Sequence, residues 1–186
     1  MMSPTLPHDA ASDGWPAPPG WAVWVRCGLG STEDTDALAA GMAEATRPGD
    51  TLLLSGDLGA GKTHFARAFI RHALGAAGAA EDIPSPSFTL VQAYETETGE
   101  IWHADLYRLS GPGEIRELGL DLAMDEARCL VEWPERLAPD WPEAAVLLRF
   151  SPDPRGEEDA RSLTLWARPG NPLAERLSPL LKGADA

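Results

Sequence analysis

The sequence predicts an α/β fold, with one domain in which a mixed, mostly parallel sheet is sandwiched between helices. Two observations favour this class. Short apolar runs typical of strands alternate along the chain with segments of helical periodicity, and hairpin-like pieces follow later in the chain. The length of 186 residues, with 44% hydrophobic and 24% charged residues, suits one globular domain with a real core.

The chain begins with a segment that we expect to be disordered. This leader, residues 1–20, is rich in proline and has too little apolar surface to fold. The ordered domain is expected over residues 21–181, and its first strand over residues 21–25. Ser31 is a favourable N-cap followed by acidic residues, which predicts a helix that runs to about Thr46.

The middle of the chain carries the clearest strand pattern. The continuous apolar run Thr51–Ser55 predicts a strand that is buried on both faces. Apolar residues at helical spacing predict a helix over residues 64–74, and Gly75 ends it. Residues 87–94 and 101–106 are expected to form the two strands of a hairpin.

The last third of the chain repeats this alternation in shorter elements. Its strands are bounded by prolines and polar loops, and its last element has a helical pattern. The predicted elements are one or two short helices over 112–127 broken at Gly119, strands at 129–133, 145–150 and 162–167, and a helix over 173–181.

A glycine-rich turn joins the buried strand to the following helix. Its residues 56–63, G-D-L-G-A-G-K-T, fit the G-x-x-x-x-G-K-[ST] pattern of a P-loop. Glycines let successive backbone N–H groups point at phosphates, and the helix N-terminus adds unpaired donors. We expect Lys62 to be a solvent-facing charge that bridges phosphate oxygens, and the Thr63 hydroxyl to ligate Mg²⁺. The fold class is therefore a single P-loop NTPase domain, with nucleotide-binding residues Gly59, Ala60, Gly61, Lys62, Thr63 and, through its backbone N–H, His64.

A P-loop enzyme also needs a carboxylate near the metal, usually at the end of a neighbouring buried strand. Asp105 and Glu132 each end such a run. Either carboxylate could instead cap a helix or pair with an arginine such as Arg108. The pattern also does not say which of the two would bind the metal and which would activate the attacking water. His103 lies inside a strand, where a packing role is the more common one.

The charge of the chain excludes several classes of function. Twenty-nine acidic and fifteen basic residues give a net charge of -14, which repels phosphate backbones and anionic membranes. Direct binding to RNA, to DNA or to an anionic membrane is therefore not expected. Two widely spaced cysteines, no secretion signal and no apolar run of about 18 residues favour a cytoplasmic protein.

Four sequence blocks occur together in this chain and resemble those of the TsaE family, the bacterial ATPases of tRNA threonylcarbamoyladenosine biosynthesis. The resemblance covers about residues 22 to 168. The blocks are G-D-L-G-A-G-K-T at 56–63, S-P-S-F-T-L-V at 85–91, H-A-D-L-Y-R-L at 103–109 and V-E-W-P-E at 131–135.

The resemblance implies slow, partner-dependent hydrolysis of ATP. The partners are TsaB and TsaD, which modify adenosine 37 of tRNAs that read codons beginning with A, so tRNA is reached only through them. It also implies roles for individual residues. Thr63 and Glu132 would hold Mg²⁺, and Lys62, Asp105 and Glu132 would take part in hydrolysis. Thr32 and Thr35 would lie near the adenine. Ser87 would belong to a switch beside the γ-phosphate.

The chain departs from the family pattern at several positions. Ser87 replaces a usual threonine but keeps the hydroxyl, so the switch is expected to work. His64 replaces a usual threonine or serine and removes a hydroxyl near the phosphates. Ala104 replaces a usual phenylalanine, and a short Ala- and Gly-rich insertion occupies residues 75–80.

Two other classes of P-loop protein fit the sequence less well. A small-molecule P-loop kinase is the alternative, but the chain has no arginine-rich lid, since Arg155 and Arg161 are the only late candidates. A GTP-dependent switch would normally carry an Asn-Lys-x-Asp motif, and neither Lys62 nor Lys182 lies in one. The sequence is also compatible with a scaffold protein that binds ATP without hydrolysing it.

Overall fold

The computed structural model describes residues 17–78, 82–110, 112–153 and 159–181. Residues 1–16 of the predicted leader therefore lie outside the described residues. Residues 17–20 include a turn, in which the Trp21 N–H donates to the Pro18 carbonyl at 3.0 Å and Pro18 is buried. The described fold thus begins ahead of Trp21.

The described residues form five α-helices, seven strands and one short 3₁₀ helix. The strands are β1 (Ala22–Leu29), β2 (Thr51–Ser55), β3 (Val91–Thr96), β4 (Gly99–Asp105), β5 (Arg128–Glu132), β6 (Val146–Pro152) and β7 (Arg161–Ala167). The helices are α1 (Thr32–Ala45), α2 (Lys62–Ala73), α3 (Pro112–Glu117), α4 (Leu120–Glu126) and α5 (Pro172–Leu181), and the 3₁₀ helix is Pro134–Leu137.

The strands form one mixed sheet in the order β1-β7-β6-β2-β5-β4-β3. The four neighbours β6, β2, β5 and β4 are parallel to one another, and the pairs β1–β7, β6–β7 and β3–β4 are antiparallel. Strands β1, β2, β4, β5 and β6 therefore point one way and β3 and β7 the other. The expectation of a mixed, mostly parallel sheet is confirmed.

The sheet separates two hydrophobic cores. On one face α1, α2 and α5 bury side chains such as Met42 and Phe69 against the strands. On the other face α3, α4 and the 3₁₀ helix bury Ile115, Leu120 and Leu137. Burial of one side chain of this size stabilises the fold by about 1.5–3 kcal/mol. Helices therefore cover both faces of the sheet, as the sequence predicts.

Local signals set the ends of α1. The Ser31 side chain accepts a hydrogen bond from the Asp34 N–H at 3.2 Å, which caps the first turn. At the other end the Thr46 hydroxyl donates to the Met42 carbonyl at 2.8 Å. The predicted helix from Ser31 to about Thr46 is confirmed. No helix among the described residues is long and apolar enough to cross a membrane.

One predicted strand is partly wrong. The expected strand over 87–94 begins only at Val91, because the chain turns over the preceding residues. The Leu90 N–H donates to the Pro86 carbonyl at 2.6 Å, and Leu90 has a φ of 67°. A left-handed residue cannot continue a strand. The Ser87 region is therefore a compact turn that leads into the hairpin of β3 and β4.

The two cysteines provide a test of this core. Cys27 and Cys129 are both buried, and burial raises the pKa of the Cys129 thiol to about 12. At pH 8 we expect Cys129 to react with a disulfide reagent about a thousandfold more slowly than in denatured chain, since the thiolate is the nucleophile. A thiol-release time course with and without denaturant measures this. Fast reaction of the native protein would contradict the buried position of β5.

Candidate functional site

The glycine-rich loop, residues 56–63, leads from β2 into α2 and turns on three glycines. Gly56, Gly59 and Gly61 all have positive φ, at 137°, 78° and 110°. A Cβ at Gly56 would lie 2.5 Å from the Phe150 carbonyl oxygen, so only glycine fits there. Gly61 is the N-cap of α2 and makes no side-chain capping bond. The first N–H groups of the helix are therefore available to an anion.

The Lys62 side chain is folded back onto this loop. Its ammonium donates to the carbonyl oxygens of Gly56 and Asp57 at 2.7 and 2.8 Å. It also lies 4.0 Å from the centroid of the Trp133 ring, within cation–π range. The residue is only 4% exposed. The expectation of a solvent-facing charge is wrong, because the loop's own carbonyls and Trp133 enclose the ammonium.

Several carboxylates surround the same ammonium. Burial lowers the pKa of Lys62, and the negative charges of Glu132, Glu135 and Asp105 partly offset that effect. Desolvation acts against the charged form because the ammonium has lost its water. Further anionic oxygens, such as those of a phosphate, would stabilise the charge at this position.

Glu132 lies at the end of β5 and is held by two neighbours. The Thr63 hydroxyl donates to Glu132 Oε2 at 2.7 Å, which links β5 to the first turn of α2. The His103 Nε2 donates to Glu132 Oε1 at 2.9 Å. Glu132 is 2% exposed. The structure therefore brings together Thr63 and Glu132, the pair predicted to ligate a metal.

Asp105 lies at the end of β4, directly in register with Glu132 on β5. Its Oδ2 accepts a hydrogen bond from the Ser87 hydroxyl at 2.7 Å, and its Oδ1 accepts one from the Tyr107 N–H at 3.0 Å. The Ser85 and Ser87 hydroxyls are 2.8 Å apart. Asp105 is thus tied to the turn that contains Ser87, and the two predicted carboxylates end on adjacent strands.

Trp133 follows Glu132 in a strained backbone conformation. Its φ of 57° is left-handed, which is uncommon for a bulky residue. The predicted strand over 129–133 therefore ends at Glu132, and the 3₁₀ helix starts immediately after the tryptophan. The ring centroids of Trp133 and Tyr107 are 4.8 Å apart. This conformation turns the indole over the Lys62 ammonium.

The other predicted nucleotide-binding residues lie at the starts of α1 and α2. Thr32 is exposed, and its hydroxyl donates to Glu33 at 3.3 Å. Thr35 is buried, and its hydroxyl donates to the Ser31 carbonyl at 3.3 Å. The His64 ring lies 2.7 Å from an Asp36 carboxylate oxygen and so joins the two helices. Their contacts to an adenine or a phosphate stay predictions.

Comparison with known proteins agrees with this geometry. The family described as "Threonylcarbamoyl adenosine biosynthesis protein TsaE" matches residues 29–162, more than half of the chain. The chain belongs to the TsaE family. That family takes part in the biosynthesis of threonylcarbamoyladenosine in tRNA.

Individual TsaE proteins show the same relationship. The chain is 46% identical to tRNA threonylcarbamoyladenosine biosynthesis protein TsaE of Rickettsia felis over 107 residues, 58% of this chain and 61% of that protein. It spans about three fifths of the length of this Rickettsia relative. The protein of the same name from Bacillus subtilis is 34% identical over 136 residues, 73% of this chain and 80% of that one.

A solved structure supports the fold. The crystal structure of Bacillus subtilis YdiB superposes with a TM-score of 0.65 and 28% sequence identity. The match covers 86% of this chain and 95% of that one. The α/β fold with a mixed sheet is therefore shared with a known protein.

The site of this TsaE family member contains residues that sequence patterns did not assign. His103 contacts Glu132, Glu135 accepts a hydrogen bond from the Ser55 hydroxyl, and Arg161 donates to the Ala60 carbonyl at 3.1 Å. Two signals were present in the TsaE-like blocks. His103 is two residues before Asp105 and so shares its face of β4, and Glu135 closes the V-E-W-P-E block.

The donors at this TsaE site fit magnesium better than a softer metal. Thr63, Glu132 and Asp105 offer hydroxyl and carboxylate oxygens, the ligands that Mg²⁺ prefers. Within the described ranges, no group of three or more His, Cys, Asp or Glu side chains could hold a metal ion alone. A magnesium ion here would therefore need phosphate oxygens or water to complete its shell.

A pair of glycine substitutions tests the loop geometry. Gly56→Ala should lower the free energy of unfolding by about 1–3 kcal/mol more than Gly59→Ala, since both strain a positive φ but only Gly56 meets a backbone oxygen. At Gly59 a Cβ would contact nothing within 4 Å. Urea denaturation of the two variants measures the difference. Equal losses would show that the Phe150 carbonyl does not restrict position 56.

Proposed function

We propose that this TsaE family member binds Mg-ATP in the loop 56–63 and hydrolyses it slowly in support of TsaB and TsaD. The observation that carries the proposal is the convergence of a P-loop with two strand-end carboxylates. Lys62 and Thr63 start α2, and Asp105 and Glu132 end the adjacent parallel strands β4 and β5. This is the arrangement that phosphoryl-transfer chemistry requires.

Binding of the triphosphate would use the backbone first. The N–H groups of residues 59–64 would face the phosphates, aided by the positive end of the α2 dipole. The Lys62 ammonium would exchange its bonds with the Gly56 and Asp57 carbonyls for bonds to phosphate oxygens. Thr32 and Thr35, in the first turn of α1, would lie towards the nucleoside.

Thr63 and Glu132 would hold the magnesium ion, directly or through water. The ion supplies neutralisation of charge on the phosphate oxygens. Asp105 would orient the attacking water, since its carboxylate lies beside Glu132 but is bonded to a different segment. Ser87 bonds to Asp105, so the turn that contains it can respond to the state of the γ-phosphate.

Dependence on partners is supported by charge and by exposed apolar groups. The net charge of -14 disfavours direct tRNA binding, so tRNA would be reached through TsaB and TsaD. Leu58 on the P-loop and Phe88 on the Ser87 turn are 89% and 87% exposed. Large apolar side chains beside a site are typical of surfaces that a protein partner covers. Threonylcarbamoyladenosine formation would be the reaction that such a complex completes.

The lysine provides the first test of this function. Lys62→Ala should weaken ATP binding by about 10-fold to 100-fold, since a charge-assisted contact of this kind is worth roughly 1.5–3 kcal/mol. It should also abolish ATP hydrolysis and tRNA threonylcarbamoylation in an assay with purified TsaB, TsaD and tRNA. Arg71→Ala, at the exposed far end of the same helix, is the control and should change neither. Unchanged hydrolysis in Lys62→Ala would exclude the P-loop assignment.

The two carboxylates should have separable roles. Glu132→Gln should raise the magnesium concentration needed for half-maximal ATP hydrolysis, because it weakens a charged ligand of the metal. Asp105→Asn should lower turnover while the affinities for ATP and magnesium stay near normal. A magnesium titration of hydrolysis, with partners present, measures both. If Asp105→Asn shifts the midpoint and Glu132→Gln does not, the two roles are reversed.

A further inference from the structure

His103 is a fully buried polar residue in β4, between the apolar Ile101 and the strand-end carboxylate Asp105. The residue has no exposed surface, and its neighbours Ile101 and Ala104 are also fully buried hydrophobic residues. A leucine at this position would pack without any hydrogen-bonding requirement. The imidazole therefore needs an explanation beyond packing.

The hydrogen bonds of the ring define what it does. Nε2 lies 2.9 Å from Glu132 Oε1, and a carboxylate only accepts, so Nε2 carries the hydrogen. The other ring nitrogen, Nδ1, is buried and has no hydrogen-bond partner. An unpaired acceptor in the core opposes stability. Among the described residues, Glu132 is thus the one hydrogen-bond partner of the ring.

The geometry of Glu132 shows what depends on that contact. One carboxylate oxygen faces His103 and the other faces the Thr63 hydroxyl at 2.7 Å. A carboxylate fixed at one oxygen cannot rotate its other oxygen away without breaking the bond. The strand register places His103 opposite Leu130, two residues before Glu132 on the same face of the sheet.

We propose that His103 is a positioning residue, which holds the Glu132 carboxylate at Oε1 so that Oε2 stays beside Thr63, where magnesium would bind. The inference rests on the proposed function, because it assumes that Thr63 and Glu132 serve the metal. His103 itself touches neither metal nor nucleotide. Groups that orient a metal ligand in this way typically change metal affinity by about 10-fold to 100-fold when removed.

The test compares three variants of His103 in the full chain. His103→Gln can place an amide N–H near the position of Nε2, whereas His103→Asn is too short and His103→Leu has no donor. The affinity for a non-hydrolysable ATP analogue, AMP-PNP, is measured by calorimetry with magnesium and with a chelator. Magnesium-free affinity should be unchanged in all three. The gain in affinity from magnesium should fall about 10-fold or more in the Leu and Asn variants, and His103→Gln should retain it.

His72 provides a matched control on the surface. Its Nε2 lies 3.0 Å from Glu44 Oε1, a similar distance, but both side chains are well exposed and lie away from the P-loop. His72→Leu should therefore leave the magnesium effect intact. Thermal melting checks that each variant is folded, because His103→Leu leaves the buried Glu132 Oε1 without its donor and should lower the melting temperature. If His103→Leu does not fold, the Gln and Asn variants still make the comparison.

The outcomes separate a failure of the proposed metal site from a failure of the proposed role of His103. If magnesium gives the wild-type protein no gain in affinity, or Glu132→Gln keeps the full gain, the proposed metal site is wrong. If Glu132→Gln loses the gain while a folded His103→Leu keeps it, only the role of His103 is overturned. Equal losses in His103→Gln and His103→Asn would show that the ring fills space and does not orient Glu132.

Discussion

The parallel hydrogen-bond ladder through β2, β5 and β4 is the constraint on which the site depends. It pairs Leu54 with Glu132, and Glu132 with Asp105, so that three strands reach the same edge of the sheet at the same level. The P-loop begins immediately after β2 and therefore meets both carboxylates. A slip of one residue would turn Glu132 to the opposite face, away from Thr63. The continuous burial of β2 and β5 on both faces makes such a slip costly.

The carboxylates at this edge are almost completely buried, yet each has specific partners. Glu132 accepts from Thr63 and His103, and Asp105 accepts from Ser87 and a backbone N–H. Buried charge is tolerated when it is hydrogen-bonded, and an unmatched carboxylate would be strongly destabilising. The same bonds connect α2, β4, β5 and the Ser87 turn. One network of hydrogen bonds therefore holds both the fold and the residues proposed for catalysis, and a change in one member will affect the others.

The sequence predicted those features that local physics determines. The Ser31 cap, the buried run of β2 and the glycine pattern of the loop each specify their own structure, and the mixed sheet followed from the alternation of elements. Features that depend on distant partners were missed or wrong. Lys62 is enclosed because Trp133, from another strand end, lies over it. The turn before Val91 needs a left-handed Leu90, which no propensity indicates. His103 was interpreted as packing because its partner is on the adjacent strand.

Under the proposed function, the enclosed ammonium of Lys62 would affect how long a nucleotide stays bound. When phosphate oxygens leave, the Gly56 and Asp57 carbonyls and the Trp133 ring can take over the ammonium as contacts are lost. The buried ammonium is then never without partners during dissociation. The barrier to dissociation is therefore lower than for a lysine without such acceptors. We expect a short residence time for product. A site that empties quickly could be reset between successive encounters with the proposed partners.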